Sequence, residues 1–113
     1  MKILHCPIEI AGQMGIFSKR LQQLKMHATA YNTFHTYLGY NDSIVNTCGF
    51  RLEKLMPRMI EAYQLFHFHN GVTLSPDFSD LPKIKSVGKH MLMHHWGNDV
   101  RTHAKAAQYN PYV

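Results

Sequence analysis

Two segments of this chain share a pattern: an apolar run of strand length stops in histidines, and a glycine follows. The first is Leu65-Phe66-His67-Phe68-His69-Asn70-Gly71, and the second is Met91-Leu92-Met93-His94-His95-Trp96-Gly97-Asn98-Asp99-Val100-Arg101. Short apolar runs bounded by turn residues read as buried strands. Asn and Gly directly after such a run mark where the strand leaves the sheet. Strands buried on both faces belong to parallel sheets covered by helices. Both segments are then expected to deliver imidazoles to one edge of one sheet. In open α/β folds that edge, beyond the carboxyl ends of the strands, is where ligands bind.

The rest of the chain supplies the helices such a sheet requires. Ile3 to Cys6 is a first strand, and Ala11-Gly12-Gln13-Met14-Gly15 a small loop after it. Phe17, Leu21 and Leu24 then recur at helical spacing. His27 to Phe34 reads as a second strand and residues 39 to 49 as a polar, turn-rich loop. Leu52, Leu55, Met56, Met59, Ile60 and Tyr63 give the strongest helical periodicity, with Pro57 either kinking that helix or marking where its regular part begins. Leu65 to His69 is a strand and residues 72 to 80 a loop. Asp80 is expected to cap a short helix with Pro82 in its first turn and Gly88 past its end, facing Leu81, Ile84 and Val87 inward. Lys89 to His95 is the last strand. Asn98 or Asp99 is placed to cap a helix from Val100 toward Ala107. Alternating strands and helices predict an α/β fold: a three-layer Rossmann-like domain with a parallel sheet of about four strands. A length of 113 residues fits one domain over the whole chain.

Charge narrows the partners. The formal net charge is +5, which favours anionic ligands. The basic residues are scattered, with modest groups at Lys19, Arg20 and Lys25 and at Lys83, Lys85 and Lys89. No basic–aromatic array suggests nucleic-acid binding. Contact with an acidic membrane surface stays open as a peripheral interaction. Cys6 and Cys48 have no CxxC spacing and follow no secretory signal, so two buried, reduced thiols in a cytoplasmic protein are expected. No run approaches a transmembrane length.

Several groups could carry chemistry. Gly12 and Gly15 would let backbone amides approach a phosphate at a helix N-terminus, or simply make a tight turn. His67 and His69 lie on the same side of a strand, with His69 nearer its end and His67 packed or hydrogen-bonded inside. His94 and His95 must face opposite ways, and the expected site pairs His69 with His95. Zinc would need His67, His69 and one of His94 or His95 to converge. No cysteine pair or HExxH helix supports such a site, so none is assigned. Asp99 reads as a helix cap or a site residue, and Arg101 as a solvated charge or an anion clamp. Trp96 covers the cleft or fills the core edge, and Met91 and Met93 read as core. No Ser-His-Asp or Cys-His pairing suggests nucleophilic hydrolysis.

Together, KILHCP with the small loop AGQMG, then LFHFHNG, then MHHWGNDVR resemble the N-terminal half of retaining family 4 glycosyltransferases of the two-domain GT-B architecture. The resemblance runs from Met1 to about Arg101. It implies a Rossmann-like acceptor-side domain and catalysis in a cleft shared with a donor-binding domain. It maps the donor-diphosphate loop to Gly12 and Gly15, the histidine beside the reacting sugar to His69, and the acceptor side to His95, Asp99 and Arg101. Gln13-Met14 departs from the small residues usual in that loop. No counterpart of the family's C-terminal domain is present, so the chain alone is expected to be inactive, with no cofactor of its own. Its partners would be a nucleotide-sugar donor and a carbohydrate acceptor, engaged only with that second domain. The alternative is a non-catalytic module that forms homo-oligomers through the surface such a domain would cover.

Overall fold

The computed structural model describes residues 1–8, 12–33 and 43–96. The elements run β1 (Lys2–Cys6), α1 (Gln13–Gln23), β2 (His27–Asn32), β3 (Val45–Asn46), α2 (Gly49–Ala62), β4 (Leu65–His69), α3 (Asp80–Ser86) and β5 (His90–His94). Every neighbouring pair of strands is parallel, in the order β3-β2-β1-β4-β5. The α/β, Rossmann-like sheet flanked by helices is therefore as expected, with five strands rather than about four. The extra strand, β3, has two residues and lies in the polar segment read as loop. Its place is fixed by polar groups: Asn32 Nδ2 donates to Asn46 Oδ1 at 2.9 Å, and Thr47 N–H donates to the Asn32 carbonyl at 2.8 Å.

The register separates the two faces of the sheet. Ile3 pairs with Ala28 and Leu65, and His5 pairs with Ala30 and His67. Partners directly opposite share a face, and alternate residues take the other. On one face Leu4, Cys6, Phe66 and Phe68 meet Leu52, Met56, Met59 and Ile60 of α2, Ile84 of α3 and Leu74. Phe66 and Phe68 are fully buried there, and each such side chain contributes about 1.5–3 kcal/mol. On the opposite face Ile3, Ala28 and Ala30 are buried, as are Met14 and Ser18 of α1.

Local chemistry moved several boundaries. α1 starts at Gln13, with Gly12 at φ 77° as its N-cap, so Gly15 lies buried inside the first turn rather than in the loop. The buried side of α1 is Met14, Gly15 and Ser18, while Leu24 is exposed at the C-cap. α2 begins eight residues before Pro57 and continues past it. Pro57 is on the solvent side, where water can serve the Glu53 carbonyl that a proline cannot bond. Asp80 does not cap α3. It is buried and accepts from Thr73 Oγ1 at 2.8 Å and from Leu74 N–H at 2.9 Å, while Ser79 takes the N-cap position. Val87 is exposed beyond the last turn, and Gly88 at φ 74° ends the helix as expected.

β5 lies at the edge of the sheet, so Met91 is exposed and only Met93 packs on the core. Lys89 ties this strand to α2 by donating from Nζ to the carbonyls of Glu61 at 3.0 Å and Tyr63 at 2.8 Å. Such a cation suits the negative end of a helix. Both cysteines are free, but only Cys6 is buried; Cys48 is exposed at the N-cap of α2. Burial, with the Asp80 carboxylate nearby, holds the Cys6 thiol well above the ordinary thiol range. Among the described residues, no helix is long and apolar enough to cross a membrane.

Candidate functional site

The strand order reverses between β1 and β4. The chain lays down β1, β2 and β3 in one direction, then crosses back to place β4 and β5 on the other side of β1. Crevices at such reversals, outside the carboxyl ends of the strands, are the preferred ligand sites of open α/β sheets. Two features come together at this reversal. β1 leads to Gly12 and the N-terminus of α1, and β4 ends in His69.

Around that point the sheet gathers imidazoles. His69 pairs with His94 in the β4–β5 register, and the Asn70 N–H donates to the His94 carbonyl at 2.9 Å. Asn70 and Gly71 both have positive φ, the turn read from the sequence. His5 sits opposite His67, and their Nδ1 atoms are 2.9 Å apart. His67 and His69 have ring centroids 4.2 Å apart, and His94 stacks 5.5 Å from each. Phe17 of α1 lies across the group, 6.0 Å from His5 and 5.7 Å from His67. Trp96 stacks on His94 at 4.1 Å and donates its Nε1–H to His69 Nδ1 at 3.1 Å.

These contacts fix where protons sit. An indole nitrogen only donates. A neutral His69 therefore accepts at Nδ1 and carries its proton on Nε2. Of His5 and His67, one ring must hold its proton at Nδ1 and the other must accept there. The Nε2 atoms of His5, His67 and His69 are all buried, and no described residue bonds them. An unmet buried polar atom costs about 1–3 kcal/mol. Burial keeps the rings neutral: His5 falls to about 4, with His67 adding to the shift, and His67 to about 4, with His94 adding. His69 falls to about 3, through burial first and then His67, His5 and His94. Neutral imidazoles suit hydroxyls and metal ions. They do not hold phosphate as imidazolium would.

The sequence-predicted residues are distributed unevenly. His69 is at the centre, fully buried beneath Trp96 and beside His67. His94, not His95, faces the cluster; His95 is exposed. The expected division of His67 and His94 from His69 therefore fails, because parallel pairing sets His69 and His94 side by side. Gly12 and Gly15 mark the start of α1. Asp99 and Arg101 lie outside the described residues, as does the expected helix from Val100. His5 was not anticipated, although Ile3-Leu4-His5-Cys6 repeats the apolar-then-histidine pattern on a third strand. A cleft of about 280 Å³ opens beneath α1, lined by Ile3, Leu65, Leu21, Phe17, His5, His67 and Arg20. No family model matches the chain, and no curated protein or solved structure is significantly similar to it.

Proposed function

We propose that the chain is the acceptor-side domain of a glycosyltransferase that moves a sugar from a nucleotide-sugar donor to an acceptor in the cytoplasm, working with a donor-binding domain. The supporting observation is the position of His69 at the β1–β4 reversal, with its ring 6.3 Å from that of Phe17 in α1. Amides at the start of α1, around Gly12 and Gly15, are suited to the developing charge of a departing diphosphate. His69 would orient the sugar at its anomeric carbon. His95, exposed at the same edge, with Asp99 and Arg101, would meet the acceptor.

The test joins the chain to a family 4 donor-binding domain and follows sugar transfer. His69→Ala is expected to lower transfer about 100-fold, the scale of losing one positioning contact. Unchanged transfer with an intact fold would overturn the role of His69, and no transfer by the unsubstituted fusion would count against the assignment itself.

A second reading, a self-associating module, is favoured by the β5 edge. Its residues His-Met-Leu-Met-His carry no lysine, proline or acidic side chain, and Met91 and Leu92 are exposed. Natural edges usually carry such protection against pairing.

A further inference from the structure

We propose that His5, His67 and His69 form a site for a divalent transition-metal cation of borderline character, with zinc as the first candidate. One ring nitrogen from each of the three lies within 4.8 Å of the others, and all three side chains are buried. Tetrahedral zinc–imidazole bonds set ligand nitrogens about 3.4 Å apart. The cluster therefore needs shifts of tenths of an ångström to about one ångström, not a rearrangement of strands. Parallel register supplies the rigidity, because His5 and His67 are paired across β1 and β4 and His69 follows on the same side.

The polar atoms also point to a missing partner. The Nε2 atoms of all three rings are buried and hydrogen-bonded to no described group. The rings are neutral, the state a metal requires, and imidazole nitrogen suits zinc, copper and nickel rather than calcium or magnesium. Access comes from the cleft beneath α1, which both His5 and His67 line. That cleft leaves room for a fourth, solvent-derived ligand. Arg20 in its wall would offset the charge of an anion there. His94 is nearly parallel to His67 and His69, so it serves as a wall rather than a ligand.

Trp96 makes the site testable. His69 can ligate through Nε2 only if its proton moves to Nδ1. The Trp96 Nε1–H must then release the bond it makes to Nδ1. No proton leaves the pair, and every ring stays neutral. Trp96 is the single tryptophan of the chain, so its fluorescence reports that release directly.

The experiment titrates the chelator-stripped full chain with zinc chloride and with cobalt chloride. One equivalent should bind, with a change in Trp96 emission and, for cobalt, the intense visible bands of four-coordination. His69→Gln should weaken zinc at least tenfold, whereas the double variant His27→Ala, His90→Ala should not, since those two imidazoles are exposed. Should His69→Gln fail to fold, nitrogen-15 spectra of the unsubstituted chain decide the matter. Zinc should then shift ring nitrogens of His5, His67 and His69 alone. The proposal is overturned by the absence of one-to-one binding, by binding lost in the His27/His90 variant, or by zinc shifts confined to exposed histidines.

Discussion

His5, His67 and His69 enter the folded protein with their basicity suppressed, and that has a direction in pH. In the unfolded chain a histidine titrates near 6.5. In the fold, His5 and His67 titrate at about 4 and His69 at about 3. The unfolded state therefore binds more protons between these limits, and stability rises with pH across them. Their contribution is complete above about pH 6.5 and declines as pH falls toward 4. Denaturant unfolding with chelator present should show a flat optimum above neutrality. Near pH 5, unfolding should take up between about two and three protons. A stability independent of pH from 7 to 5 would show that the rings are solvated. Asp77 runs the other way: bonds from Ser75 and Ser79 hold its carboxyl at about 2, but it is fully exposed.

At the scale of elements, two side chains break the usual rules and their replacement should act in opposite directions. Asp80→Ala leaves the buried Leu74 N–H without its acceptor and Thr73 Oγ1 with only the Ser75 carbonyl at 3.2 Å. A loss of about 1–3 kcal/mol follows, measurable as a lower unfolding midpoint in urea. Pro57→Ala restores a backbone donor within α2 at a solvent-facing position. It should raise stability by about 1–3 kcal/mol, read in the same urea series. The sequence displayed the histidine-ended strands and the α2 stripe well, because both depend on local periodicity. It did not display which strands touch. His5 and His67 are 62 positions apart, and only the β1–β4 pairing joins them. The division of His94 from His69 failed for the same reason: alternation within a strand is local, but the face each residue takes is set by the neighbouring strand. Asp80 was misread because aspartate before a helix resembles a cap, whereas here the preceding loop folds back to claim it. β3, at two residues, is too short to carry a pattern.

For the whole molecule, the sheet has unequal ends. Among the described residues, one side finishes in the short β3 and the other in β5, where Met91 and Leu92 are exposed. Self-association through β5 should rise with concentration in light scattering at neutral pH. Leu92→Lys places a charge on that edge and should return the chain to monomer without changing its circular dichroism. A variant that associates as strongly as the original would move the contact elsewhere.

The reversal at β1 also governs the order in which the molecule can be assembled. β1 acquires β2 as a neighbour after some thirty residues, but its other flank stays vacant until Leu65–His69 has been made. A chain growing from its N-terminus therefore exposes the central strand along one side while about sixty further residues are added. Closure comes from contacts distant in sequence, which slow folding. The step that seals this flank also brings His67 beside His5, so the histidine cluster forms late, as the two halves of the sheet join.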